Sequence, residues 1–500
     1  MTGRIGRGAV LVAAGLAVAG PIMGPAAGPA AAQTRPRSTP LAASASNAAP
    51  AALSLPEAVY LGIRNNRAIR GEYLQRVSDR FALRVAENTF TPRLDIAAAA
   101  TRSRAADVRQ TQITLGPVVT WDAPTGARLT FGWNAAQTNV RDQPRLGTGQ
   151  VSFQVVQPLL ARGGIDYATA PIRIARISEQ NSRLRVKGAV IDQITGIILA
   201  YRTLLTTQEQ VRIAEEALRR SRDLVEVNRL LIAAGRLAQV ELVQSEASVA
   251  SLELSLLGAR NQNEAARLSL LTLLAADPAS RIVAADRPGA PSVTVSLDRA
   301  LETAYANQPN YLGTLLAIEI NRIQLDVARN QRLWDLNLVA SGGNNVRRTD
   351  VLETVDALGR VRSDFSVGLQ LNVPIGYLTR EQQEVTAGIN LRQSELALET
   401  ARDRVRQQVE DAVRNVDIQR RQAELARRAR ELAAQQLEAE LAKLQAGRSS
   451  NFQVVSFQAS LQQAESTELQ AVIGYLNTLN VLDQVLGTTL DTWRIELNDG

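Results

Sequence analysis

From Leu55 to Val85 apolar residues recur at every third or fourth position or close to it, through Val59, Ile63, Ile69, Tyr73, Val77 and Phe81. That spacing lines one helix face and predicts a helix over 55–89. The period then drops to two. Leu94, Ile96, Ala98 and Ala100 share one strand face, as do Leu129, Phe131 and Trp133, and then Val151, Phe153 and Val155, so strands are expected within 91–158. Helical spacing returns beyond Pro158, predicting a long helix over 171–234 that stops at Gly235 and a shorter one over 237–276. The series then runs again: a helix over 297–330, strands within 334–374, a long helix over 378–446 that stops at Gly447, and a helix over 452–487.

In the second strand region Phe365, Val367, Leu369, Leu371 and Val373 oppose Ser366, Gly368, Gln370 and Asn372. A strand between lipid and a water-filled lumen needs this alternation, although one side of a solvated sandwich would show it too. The chain also aligns on itself. Leu55-Pro56-Glu57-Ala58 falls on Leu297-Asp298-Arg299-Ala300, Asn65 on Asn307 and Leu94 on Leu336; Gln157-Pro158 falls on Val373-Pro374, and Ala234-Gly235-Arg236 on Ala446-Gly447-Arg448. The blocks keep their order, so two tandem repeats are expected, over 53–290 and 291–500. At 1.5 Å per residue each long helix would extend about 100 Å, too far for an ordinary globular core. Such helices must pack side by side as coiled coils do, with strands at one end and the glycine turns at the other.

Composition narrows the chemistry. The chain has no His and no Cys, which removes zinc sites of the usual nitrogen and sulfur type, Ser-His-Asp and Cys-His nucleophile systems, and disulfides. Its net charge is +7, but residues 1–52 hold Arg4, Arg7, Arg35 and Arg37 and no acid, leaving little excess elsewhere. The remaining charges are interleaved, as in Arg402-Asp403-Arg404, and describe solvated helix faces, so no nucleic-acid partner is expected. Arg4 and Arg7 precede an apolar run from Ala9 to Ala19 and small residues up to Ala32. This reads as a secretory signal peptide over 1–32, followed by a flexible linker over 33–52. Past it no uncharged apolar stretch reaches 18 residues, so membrane entry would require a β-barrel.

The signal peptide, the doubled order of helix, strands and helices, the strand ends Gln157-Pro158-Leu159-Leu160 and Asn372-Val373-Pro374-Ile375, and the two Ala-Gly-Arg tips together resemble the TolC family of outer-membrane channel proteins. The resemblance covers residues 53–490. It implies an α+β membrane protein: a long α-helical coiled-coil barrel plus transmembrane β-barrel strands, with two tandem structural repeats per protomer, assembled as a homotrimer. It implies a large periplasmic portion beneath outer-membrane lipid. Such proteins are not enzymes and need no cofactor; they are passive exit ducts of tripartite efflux pumps or type I secretion systems. Their partners are a periplasmic adaptor, the membrane fusion protein, and an inner-membrane transporter of RND, ABC or MFS type.

The resemblance also assigns places. Adaptor hairpins would dock at Ala234, Gly235, Arg236 and Leu237 and at Ala446, Gly447, Arg448 and Ser449, while Pro158 and Pro374 mark the strand-to-helix junctions. Some members carry aspartates six and nine residues after the second tip glycine. Here Gln453 and Ser456 stand there, and Glu241 follows the first tip, so these three would line the periplasmic mouth with a single acidic ring. Ile113, Leu115, Val119 and Trp121, a turn at Asp122–Gly126, then Leu129, Phe131 and Trp133 read as a hairpin beyond the usual four strands. It would either widen the barrel or lie outside it. Trp121 and Trp133 suit an interfacial aromatic girdle or plain strand packing. The alternative reading is a periplasmic coiled-coil adaptor or scaffold, which would leave the alternating strands midway through both halves unexplained. A secreted enzyme using paired carboxylates is a third, and no such pair stands out.

Overall fold

In the computed structural model the described residues are 51–105, 108–141, 143–289, 291–349 and 364–497. The expected signal peptide and nearly all of the expected linker lie outside them. The linker's last residues depart from expectation. Strand β1 (Ala51–Leu53) pairs in parallel with β6 (Ile282–Ala284), so a stretch expected to be flexible is held as strand. Tyr201 is the reason. Its hydroxyl lies 2.8 Å from the Leu53 carbonyl and 2.6 Å from the Asp286 carboxylate, and burial, then that carboxylate, push its pKa upward and keep the phenol neutral.

The helix expected over 55–89 is two helices, α1 (Leu55–Asn65) and α2 (Arg67–Glu87). Asn66 between them is extended, and its side-chain oxygen accepts from the Ala68 and Ile69 amides at 2.7 and 3.2 Å, starting a new helix instead of continuing the old one. The helix expected over 297–330 divides at the matching place into α5 (Leu297–Asn307) and α6 (Pro309–Arg332). Pro309 keeps Gln308 out of the helical region, and the Gln308 side chain caps Tyr311 N at 2.6 Å.

The long helix α3 runs Ile165–Ala233 and carries Pro171 inside it; the proline costs one helical hydrogen bond near the end without stopping the helix. Helix α4 covers Val240–Leu273. The second long helix, α7, runs Leu378–Gln445 and is followed by α8 (Asn451–Leu486) and the short α9 (Thr489–Thr492). With 69 and 68 residues, α3 and α7 each extend about 100 Å.

Six strands form one antiparallel sheet: β2 (Arg93–Ala105), β3 (Val108–Asp122), β4 (Arg128–Val140), β5 (Leu146–Pro158), β7 (Asp335–Arg348) and β8 (Asp364–Asn372), neighbouring in that order. The additional hairpin therefore joins the sheet, since β3 is laddered to β2 on one side and β4 on the other. Beneath the sheet the helices follow a parallel order, α2 on α3, α3 on α6 and α6 on α7. Along α3, α2 lies near the sheet, tied by Arg185 to Asp79 at 2.6 Å, and α4 lies farther away, tied by Arg222 to Glu253 at 2.6 Å. Helix α8 takes the corresponding place beside α7, with Arg430 bonded to Glu468 at 2.9 Å.

The main core forms where these helices meet. Val190, Ile194, Ile197, Ile198 and Leu204 of α3 are buried with Ala58, Val59, Leu270 and Leu274. By length and mean hydropathy α3 contains an 18-residue stretch that could cross a membrane, although charged residues such as Asp192 and Arg202 interrupt this part of the helix. Here that stretch supplies the helical core instead.

Candidate functional site

Two parts of the fold are placed to act: the turns at the far ends of the long helices, and the sheet. At the first turn Gly235 has φ +68°, its N–H donates to the Ile232 carbonyl at 2.9 Å, and the Arg236 N–H reaches Leu231 at 2.9 Å. Gly447 repeats this at φ +69°, with its N–H on Leu444 and the Arg448 N–H on Lys443. Both are Schellman endings, in which the residue after the cap must enter the left-handed region that glycine tolerates best.

Chain folding brings the two turns together. The Arg236 guanidinium donates to the Gln445 carbonyl at 3.4 Å and lies 3.6 Å from where a Gly447 Cβ would be. Around Gly235 no heavy atom lies within 4 Å of such a Cβ. Ala234 and Ala446 are the helix caps, and Leu237 precedes the start of α4, three residues later than the expected helix start. Ser449 donates to the Glu440 carboxylate at 2.5 Å, which Lys443 also holds at 2.9 Å. The hydroxyl first and the ammonium second lower the Glu440 pKa.

Behind the turns lies a polar cluster that the sequence reading missed. The Asn228 amide donates to Ser245 Oγ at 2.7 Å and to Asn451 Oδ1 at 2.8 Å, and the Asn451 amide donates to Ser245 Oγ at 3.0 Å and to the Glu241 carbonyl at 3.2 Å. All three side chains are fully buried, joining α3, α4 and α8. One signal was available: Asn228 continues the buried seam of Ser221, Leu224 and Val225, where helical spacing asks for an apolar residue. Glu241 is half-buried, with one carboxylate oxygen turned inward without a hydrogen-bond partner, whereas Gln453 and Ser456 are exposed.

Asn451→Ala is expected to loosen this end selectively. Stranding buried partners costs about 1–3 kcal/mol, so amide exchange across residues 228–245 should accelerate roughly tenfold to a hundredfold. Ser456→Ala, at an exposed position, should leave those rates unchanged. Equal rates in both variants would remove the cluster from its restraining role.

The sheet has two chemically distinct faces. Its register places Leu94, Ile96 and Ala98 beside Val119, Pro117 and Leu115, then Phe131 beside Phe153, and Leu338 and Ala340 beside Leu369 and Val367. The opposite face carries Gln112, Thr114, Asn134, Gln150, Ser341 and Gln370. The apolar side is uncovered: Phe365, Val367, Leu369 and Leu371 are 74%, 58%, 69% and 57% exposed.

Trp121 sits at the helix-side edge of the apolar band, its indole N–H bonded to the Phe90 carbonyl at 2.9 Å. Trp133 pairs across from Val151 in the middle of the band and so takes no place at its rim. Pro158 is the last residue of β5, opposite Asn337, while Pro374 follows the end of β8. Two carboxylates brace this junction. Asp122 accepts from Arg93 at 2.7 Å and Arg128 at 2.6 Å, and Asp335 accepts from Arg380 at 2.5 Å.

Comparison with known proteins agrees with this geometry. Residues 300–488 match the family model described as outer membrane efflux protein. No curated protein matches the chain at a significant level. Among solved structures, the Campylobacter jejuni CmeC outer membrane channel is 15% identical, with a TM-score of 0.66 over 87% of this chain and 86% of that one. The outer membrane protein VceC of Vibrio cholerae is 17% identical at 0.66, over 87% and 96%. The open state of the Neisseria gonorrhoeae MtrE outer membrane channel is 15% identical at 0.65, over 87% and 89%. Residues 300–488 thus resemble the outer membrane efflux protein family, and the chain as a whole has the fold of outer-membrane channels such as CmeC and VceC.

Proposed function

We propose that this chain is one protomer of a homotrimeric outer-membrane channel, the passive exit duct of a tripartite efflux pump or type I secretion system. The observation that carries the reading is the six-stranded sheet, apolar on one face and polar on the other, with strands β2 and β8 at its edges and, among the described residues, unpaired on their outer sides. Exposed sheet edges invite pairing, and closure into a ring removes them. The helices have matching open ends. On α2, Leu74, Val77, Phe81 and Val85 are exposed at helical spacing, and on α7 Val385, Ile389 and Leu396 are exposed. One copy's α2 and β2 would meet the next copy's α7 and β8, a heterologous contact that closes when the rotation does.

Six strands also suit four helices. Four helices at about 9–10 Å spacing span roughly 36–40 Å, and six strands at about 4.8 Å, tilted near 40°, span roughly 38 Å. The sheet and the helix layer can therefore close at one radius. The polar face would line the lumen and the apolar face would meet lipid. The adjacent turns at Gly235 and Gly447 would receive the periplasmic adaptor, which couples the duct to an inner-membrane RND, ABC or MFS-type transporter. Glu241, Gln453 and Ser456 would lie at the periplasmic mouth.

Electron microscopy of the detergent-solubilised protein tests this reading. Three-fold particles with a tube of about 100 Å, the length set by the helix rise, are expected, with a barrel of about eighteen strands, six per copy. Compact or thin monomeric particles would overturn it in favour of an adaptor or scaffold.

A further inference from the structure

On the apolar face the band ends abruptly in cations. Along β2 the residues on that face run Leu94, Ile96, Ala98, Ala100, then Arg102 and Arg104; along β3 they run Val119, Pro117, Leu115, Ile113, Thr111, then Arg109. Arg104 and Arg109 stand directly opposite each other in the ladder. The row continues just past the end of β4, where the Arg141 N–H donates to the Arg109 carbonyl at 3.1 Å. Arg102, Arg104 and Arg109 are exposed, and among the described residues none of the three is joined to a carboxylate.

Like charges directly opposite on a sheet repel and destabilise the pair. An anion between them reverses the sign of that interaction, and guanidinium groups bind phosphate oxygens in a forked, charge-assisted geometry. Depth says which phosphate. Arg102 stands eight residues beyond Leu94 on this face, about 27 Å along the strand and about 21 Å along the membrane normal at a tilt near 40°, close to the height of a membrane barrel's apolar band, where headgroups begin. The helices leave the sheet at its other end, so this rim faces away from the periplasm.

We propose that Arg102, Arg104 and Arg109 form a binding site for the phosphate of an outer-leaflet lipid headgroup, seated against the outside of the barrel. The site rests on the outer-membrane reading. A lipid held there bridges β2 and β3 at the sheet edge, where the neighbouring copy would join, and so fastens the rim of the assembly.

The test uses the full-length protein solubilised in a neutral detergent, with native mass spectrometry reporting retained lipid. The probes are diphosphoryl lipid A, its dephosphorylated form, and inorganic phosphate. The wild type should retain the diphosphoryl form and release it as salt rises, and R104Q/R109Q should retain it at least about tenfold less well, since two of the three cations that face the headgroup are lost. R104K/R109K should keep most of the binding. Equal retention of the dephosphorylated lipid, retention indifferent to salt, or competition by millimolar inorganic phosphate would each overturn the proposal. The wild-type salt series decides the question even where a variant does not assemble. Heat-modifiable gel migration reports barrel formation separately: no barrel defeats the channel reading, whereas a barrel without phosphate preference defeats only this site.

Discussion

Leu369→Arg is expected to remove the protein from the outer membrane, while Gln370→Arg, one residue along, is expected to leave it there. Leu369 lies on the apolar face of β8, opposite Leu338 and 69% exposed; Gln370 is on the polar face, opposite Asn337. An arginine facing lipid near the middle of the bilayer costs roughly 2–4 kcal/mol, and a ring of copies incurs that cost once per copy. A lumen-facing arginine remains in water. The comparison therefore separates a membrane barrel from a sheet with one solvated side. The measurement is the fraction of heat-modifiable, assembled protein in outer-membrane fractions, expected to fall more than tenfold for Leu369→Arg alone. Equal insertion of both variants would falsify the assignment of the apolar face to lipid.

The second large effect belongs to the turns. Replacing both Gly235 and Gly447 by valine is expected to abolish export and adaptor binding while assembled protein still reaches the membrane. A residue with a Cβ in the left-handed region costs roughly 1–2 kcal/mol, with β-branching adding to it. That strain is confined to two surface turns, and the added atoms find open space at Gly235 and only the Arg236 guanidinium near Gly447. The fold should therefore persist while the surface offered to a partner changes. Asparagine tolerates the left-handed region, so the Asn pair distinguishes strain from shape. Should docking depend on close backbone approach, the asparagine variant also loses adaptor cross-linking, by at least tenfold. Full recovery with asparagine would assign the glycines to stopping the helices only.

Much of this architecture was legible before folding was considered. The change of period from helical to two and back locates every long helix and the main strand regions, because helix and strand geometry repeat over a few residues and leave a local imprint. The two faces of β8 follow from Phe365 to Asn372 alone. The glycine stops at 235 and 447 were legible for the same reason, since a left-handed residue is a demand on one position.

Where the sequence stopped short, the missing information was relational. The division at Asn66 turns on a side chain that caps the next helix, and the one at Gln308 on that capping together with Pro309, which bars the helix from running through it. Whether the hairpin of β3 and β4 enters the sheet depends on which strand edges meet. The polar trio joins Asn228 and Ser245 to Asn451, more than two hundred residues later, and the two turns touch through Arg236 and Gln445. Alternation and periodicity determine which face each element buries; only the assembled tertiary structure decides which elements share a ladder and which distant polar groups satisfy one another, because register and long-range hydrogen bonds depend on pairs of segments and neither segment carries the other's position.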